Sequence, residues 1–410
     1  MALLARNRNF RLLFSASAVS NLGDGVSALA FPWLATLLTR DAFMISLVLF
    51  ATRLPWFLFA IPAGVLVDRC DRRVLMVQAD VFRLLLTGGV IAMVLSLPAL
   101  PPEGSGVPYV LGLAVLAFLL GAAEVVRDNA AQTVLPQLVA GDDLERANGQ
   151  LWSVEQVMGA FVGPPLAGVL IALAVPAPFA LDAATFGVAA WCLWLIALPP
   201  RPRGGARRIW PEVVEGWRWM RSHVLLLRFA VVLGLINALH VMAFTVLVLL
   251  SQEGLGLGAT GYGLLLAAGA TGAVLAGVAG PPVVARLGPQ RAVLLGLWMM
   301  PLPYLLIGLT SSAVVAGAAL MAQAVASMLW NLVTVSWRQR VIPEALLGRV
   351  NALYRFFGWG MMPLGALAGG ALVSLSEPVI GREMALRLPY VFVAFSLFAL
   401  CLYGSRKLRF

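Results

Sequence analysis

The sequence has 410 residues, of which 61% are hydrophobic and 12% charged, with a net charge of +10 and a mean hydropathy of +0.91. Soluble domains carry roughly a quarter charged residues, so a water-soluble enzyme is excluded; the apolar residues come in runs of the roughly 20 needed to cross a bilayer as a helix. Nucleic acid is excluded as partner by the placement of the positive charge, because 28 arginines and the lone Lys407 sit mostly in short segments between apolar runs, as topology signals do.

In chain order the apolar runs give twelve spans, at about 11–38, 43–66, 74–98, 107–128, 146–173, 177–198, 224–250, 261–284, 291–309, 312–336, 349–375 and 388–405. The first resembles a secretory signal, with Arg6, Arg8 and Arg11 ahead of it and Ala28-Leu29-Ala30 inside. Asn21 and Asp24 interrupt its apolar stretch, however, and eleven spans follow, so an uncleaved helix is expected. Ser17, Ser20, Asn21, Asp24 and Ser27 recur on it at helical spacing, a polar stripe that must face protein or water rather than lipid.

The second span carries Arg53, expected to pair with Asp24 or Glu155, and ends in GVLVDRCDRR, residues 64–73. There Gly64 would let the helix end approach a neighbour closely, and Asp68 and Arg72 would share a face if the helix continues. Asp80 and Arg83, expected near the end of the third span, read as structural, and so does Asp182 in the sixth. The fourth span ends with Glu124, Arg127 and Asp128, and the fifth carries Asn148, Glu155, Gln156, Gly159 and Gly163 as a rougher polar stripe. Ionisable residues inside spans are functional candidates by default. A carboxyl in low dielectric can hold a proton at neutral pH and release it when water or a cation arrives. Asp24, Glu124 and Glu155 are therefore the proton-coupling candidates, with static acid–arginine pairing as the alternative.

A basic linker, Pro199 to Ser222, separates six spans from six, giving expected units 1–198, 199–222 and 223–410. Its second half places Trp210, Val213, Val214, Trp217 and Met220 opposite Glu212, Glu215, Arg218 and Arg221, which predicts either a helix lying on the membrane surface or a plain tether. In the second half the acids Glu253, Glu344, Glu377 and Glu383 stand near span ends. Its polar positions are Asn237 and His240, then Gln323, Ser327, Asn331 and Thr334 beside Trp330, then Asn351, Arg355 and Trp359, among many methionines and aromatics. Methionine-rich surfaces adapt to varied ligands. The expected substrate-lining set is Asn21, Arg53, Asn237, His240, Gln323, Trp330, Asn331, Arg355 and Trp359; His240 is more readily a hydrogen-bonded core histidine than a titrating one.

Basic residues divide 22 to 3 between the two sides of this topology, which puts both termini in the cytoplasm and the chain in the cytoplasmic membrane. The halves also look duplicated: VLPQLVAGDDLERANGQL (134–151) matches VIPEALLGRVNALY (341–354) with a gap, and VLVDRCDRRVL loosely matches VVARLGPQRAVL (283–294). Two related six-helix halves are a known transporter plan.

Gly64, Asp68, Arg69, Arg72 and Arg73 together resemble the signature loop of the major facilitator superfamily. Gly159, Gly163, Pro164 and Gly168 in the fifth span are similar to the glycine-proline motif of its antiporter branches. Residues 135–151 resemble the macrolide-efflux and enterobactin-exporter branch. Departures are Asp71 where the loop usually has glycine, Ala167 in place of the motif's second adjacent glycine, and Ala285 where the second copy of the loop would repeat Asp68. The resemblance implies an all-α membrane protein of twelve transmembrane helices in two pseudo-symmetric six-helix bundles. It also implies that Asp68, with Asp128, latches onto the eleventh span, where Arg349 or Arg355 would supply the positive partner; bare topology charges are the alternative.

The expected function is secondary active, proton-coupled export of an amphipathic organic compound by alternating access, drug-like, siderophore-like or lipid-like. Proton-coupled import or facilitated passage of a small anionic nutrient is the alternative. No G-x-S-x-G, H-E-x-x-H, P-loop or metal-ligand cluster is present in the sequence, so no enzyme, cofactor or metal is expected, and Cys70, Cys192 and Cys401 read as unpaired. The expected partners are a small-molecule substrate, protons and membrane lipids, and the chain is expected to be a monomer.

Overall fold

The computed structural model describes residues 2–197 and 209–408, and its regular elements there are all helical. The first half comprises α1 (Ala2–Arg6), α2 (Arg8–Leu38), α3 (Ala42–Arg69), α4 (Arg72–Ser96), α5 (Val107–Leu138), α6 (Leu144–Glu155), α7 (Gly163–Leu173) and α8 (Ala177–Trp194). After the linker come α9 (Ile209–Ser222), α10 (Val224–Leu249), α11 (Ala259–Leu287), α12 (Pro289–Met299) and α13 (Pro301–Leu309). The chain closes with α14 (Ala313–Val341), α15 (Glu344–Gly360), α16 (Met362–Ile380) and α17 (Arg382–Lys407). Eleven helical segments among the described residues are long and apolar enough to cross a bilayer. The remaining long helix of the expected twelve, α2, is outside that set because its polar stripe lowers its hydropathy.

The helix boundaries follow local chemistry. Asn7 caps α2 by accepting from Phe10 N, and Asp71 caps α4 by accepting from Val74 N, each satisfying a backbone donor that a helix start leaves open. Asp71, expected to unsettle the loop where the family has glycine, thus starts a helix. The fifth span is not one continuous α-helix: Gln156–Val162 is wound as π-helix between α6 and α7, a local widening often found at functional positions. It changes the phase of the stripe that regular 3.6-residue spacing predicted.

The chain forms two compact units. One holds Met1–Arg40, Ala51–Gly205 and Gly258–Ala267; the other holds Asp41–Phe50, Ala206–Leu257 and Ala268–Phe410. In the first, α8 packs on both α2 and α4, and α4 also packs on α5. In the second, α10 packs on α15 and α16, α12 on α14, and α13 on α17.

The basic residues Arg201, Arg203, Arg207 and Arg208 of the linker lie outside the described residues, and α9 packs on α15. Met220 is fully buried, Trp217 stacks on Phe357 at 6.0 Å, and Arg349 Nη1 donates to Glu215 Oε2 at 2.6 Å. A Cβ at Gly216 would lie 3.2 Å from Arg349 Cβ. Of the face that amphipathicity marked as apolar, Met220 is buried and Trp217 is partly covered by Phe357, while Val214 stays exposed.

Candidate functional site

The polar stripe of α2 faces α4 and α8, and there the first unit assembles a ladder of alternating charge. The Arg83 guanidinium on α4 pairs with Asp24, donates to Ser20 Oγ at 3.3 Å and lies over the Phe186 ring at 3.9 Å. Asp80, one turn earlier on α4, is wholly buried and stands 3.6 Å from Arg83 Nη1 and 3.8 Å from Arg127 Nε on α5. Arg127 in turn pairs with Asp128 at 3.1 Å. The order is acid, base, acid, base, acid across three helices. Three carboxylates face two guanidinium groups, so the ladder carries one more acid than it can neutralise.

Asp182 on α8 flanks this ladder. Its side chain is 1% exposed, Ser27 Oγ donates to Oδ2 at 2.5 Å, and Oδ1 is buried without a hydrogen-bond partner. Both Asp80 oxygens and Thr87 Oγ1, on the same α4 face, are likewise buried without hydrogen bonds. Buried charges persist when paired, and an orphaned polar atom is costly. The cluster is therefore a concentrated store of electrostatic free energy inside one six-helix half. The sequence spacing of Asp24 located it correctly on α2. The residues treated as structural, Asp80, Arg83 and Asp182, are its centre and flank. Depth was the overlooked signal: at 1.5 Å per residue, Arg83 lies roughly 16 Å along α4.

Other candidates are placed as follows. Arg53, expected as the partner of Asp24 or Glu155, is exposed, and Asp24 is taken by Arg83 because α4 carries its arginine directly against the stripe. Glu124, half-buried four residues before Asp128, lies in the field of Asp24, Asp128 and Arg83 and, more weakly, of Arg53. Glu155 is exposed at the end of α6 and senses Asp128, Asp24 and Arg127 only through space. Asn21 spends its Nδ2 on Ser17 O, 2.7 Å away within α2.

The glycines of the fifth span work by close approach. A Cβ on Gly163 would lie 2.6 Å from Gly25 Cα, one on Gly25 would collide with the Gly159 carbonyl, and one on Gly168 would meet Ala259 O at 2.5 Å. Pro164 is buried beside Gly163, and a Cβ on Gly263 would lie 2.6 Å from its carbonyl. Small residues thus bring α2 against the π-wound segment at the level of the ladder. At the signature loop, a Cβ on Gly64 would meet no described residue within 4 Å. The Asp68 side chain lies outside the described part, and Arg69 is exposed. Arg72 Nη1 donates to Thr133 O at 2.8 Å and Arg73 Nη1 to Ile196 O at 3.1 Å. Of the two expected latch cations, Arg349 is engaged by Glu215 and Arg355 lies 5.7 Å over Trp359.

In the second unit His240 Nδ1 is hydrogen-bonded to Tyr304 Oη at 2.8 Å, tying α10 to α13, and Gln323 Nε2 donates to Ser327 Oγ at 2.8 Å within α14. Asn237 Nδ2 donates to Gly358 O at 2.8 Å and ties α10 to α15. Trp330, expected to line a cavity, is 1% exposed and packs on Phe229 at 5.6 Å; an indole of that size fills core between α10 and α14. Gln323 is also buried, whereas Asn331, Arg355 and Trp359 are exposed.

The sequence model of a family described as "Transmembrane secretion effector" matches residues 2–401. The multidrug efflux pump Tap of Mycobacterium tuberculosis is 37% identical over 173 residues, 41% of this chain and 39% of the pump, so the match spans well under half the pump's length. The enterobactin exporter EntS of Escherichia coli is 26% identical over 381 residues, 92% of this chain and 88% of the exporter. Among solved structures, the nucleoside transporter NupG superposes with a TM-score of 0.73 at 10% identity, covering 98% of this chain and 100% of that one. A bacterial homologue of the iron transporter ferroportin superposes with a TM-score of 0.73 at 17% identity, covering 96% and 98%. The shared fold is that of the major facilitator transporters.

Proposed function

The chain belongs to the transmembrane secretion effector family, and from there we propose that it is a proton-coupled exporter of amphipathic organic compounds, working by alternating access. The observation that carries this reading is the odd charge count of the buried ladder. Asp24, Asp80 and Asp128 share Arg83 and Arg127. A proton on one carboxyl completes the balance, and its departure leaves a carboxylate that the two guanidinium groups must redistribute themselves to hold. Asp80 is sealed, whereas Asp24 and Asp128 are reachable at 30% and 31% side-chain exposure; Asp24 is the exchange group of this reading because it stands on the polar stripe of α2 and faces Arg83. Glu124 lies in the same field and serves as the neighbouring acceptor. Glu155, exposed at the edge of the π-wound segment, is the outermost of the three carboxyls.

Export of amphipathic cargo is supported by the relatives, one a multidrug efflux pump and one an enterobactin exporter by name. It is supported too by the second half, whose acids Glu253, Glu344, Glu377 and Glu383 all stand near span ends. The test is a panel of amphipathic compounds offered to inside-out vesicles holding an acid interior. Export by antiport predicts that a substrate is taken up and releases protons from the lumen. Uptake with no proton movement, for every compound taken up, contradicts the coupling.

A further inference from the structure

Where α1, α2, α6 and the chain leaving α8 meet, a cavity of about 600 Å³ opens, lined by Arg6, Arg8 and Arg146 with Asp143 as its one acid. Its walls are fixed by backbone ties: Asn7 Nδ2 donates to Leu138 O at 2.5 Å, and Asn9 Nδ2 donates to Ala197 O at 3.0 Å. The arginines are exposed, and none of the three joins an ion pair among the described residues. The lining thus holds three guanidinium groups and one carboxylate, an excess of positive charge, with Asp142 and Glu145 flanking it outside the lining. The adjoining chain does not supply the missing anion, since residues 198–208 contain four arginines and no acid.

The same region carries the aromatic marks of a membrane–water boundary, where tryptophan is enriched. Trp191 and Trp194, 61% and 57% exposed, lie with ring centroids 5.7 Å apart on the last turns of α8, just before Ala197. Trp152, 55% exposed, follows Arg146 by six residues on α6, roughly 9 Å along the helix. A basic pocket level with an exposed aromatic belt fits a ligand that is charged at one end and apolar at the other. We propose that this pocket binds the phosphodiester headgroup of an anionic phospholipid, with the acyl chains leaving past the exposed tryptophans. Basic pockets between span ends are built for such headgroups, and each arginine near the surface contributes roughly a five-fold gain in binding to an anionic lipid.

The test uses the full chain in nanodiscs of phosphatidylcholine containing a minority of phosphatidylglycerol, with co-purifying lipid counted by native mass spectrometry. Transport is not read, so the outcome is independent of the export proposal. The wild type is expected to retain phosphatidylglycerol in preference to phosphatidylcholine by roughly a hundred-fold for three arginines. The triple variant Arg6→Gln, Arg8→Gln, Arg146→Gln is expected to lose that preference. The variant with lysine at the same three positions is expected to keep most of it, since lysine still serves a phosphate as a point charge; it also controls for folding. The proposal is overturned by no preference in the wild type, by equal retention in the glutamine variant, by loss in the lysine variant, or by displacement of the lipid by equimolar inorganic phosphate.

Discussion

Replacing Arg83 and replacing Asp24 remove the two ends of one ion pair, yet the ladder predicts unequal damage. Asp24→Asn leaves Asp80 and Asp128 facing Arg83 and Arg127, two charges against two, with Arg83 still 3.6 Å from Asp80. Arg83→Gln leaves three carboxylates with one guanidinium, and Asp80, wholly buried, keeps only a 3.8 Å contact with Arg127 Nε. Removing one partner of a buried pair costs about 3–5 kcal/mol when a charge is left uncompensated. That is roughly 150-fold to several thousand-fold in the unfolding equilibrium. Asp24→Asn is expected to cost about 1 kcal/mol, the scale of one lost hydrogen bond. The double variant, which removes one charge of each sign, should recover most of the Arg83→Gln loss. Reversible unfolding in mixed micelles measures all three. Equal losses for the two single variants, or a double variant no better than Arg83→Gln, would refute the charge count.

Further outcomes follow from the same geometry. Ser27→Ala takes the one hydrogen bond that the buried Asp182 carboxyl accepts among the described residues and should cost about 1–3 kcal/mol in the same unfolding assay. Gly163→Ala forces a methyl 2.6 Å from Gly25 Cα and should cost about 1–3 kcal/mol by overpacking, while Gly64→Ala, with open space around it, should unfold like the wild type. Glu215→Gln should change stability by no more than about 1 kcal/mol, because the pair with Arg349 is largely exposed. Trp217→Ala should loosen α9 more, visible as faster amide exchange across Ile209–Ser222.

Much of the fold was legible because the bilayer imposes length and hydropathy on each span, and the polar stripe on α2 announced itself by spacing. Which residues meet that stripe was not legible. Arg53 and Arg83 are both arginines in apolar runs, and only the packing of α4 against α8 and α5 decides that Arg83 reaches Asp24. Asp182 seemed marginal from its position in its span, but its neighbour on α2 is a glycine, Gly23, where an added Cβ would collide with the Asp182 carboxyl. The π-wound turn at Gln156–Val162 has no marker in an apolar pattern, since it arises where α2 presses backbone to backbone on Gly159. The docking of α9 on α15 was hidden for a related reason: an amphipathic face looks the same whether lipid or protein covers it.

The most direct measurement is substrate-dependent proton release from proteoliposomes, compared between the wild type and Asp24→Asn at equal substrate exchange. Asp24 as the exchange group predicts that the variant still swaps labelled for unlabelled substrate but releases no protons and cannot use a pH gradient. Proton release per substrate unchanged in Asp24→Asn contradicts it.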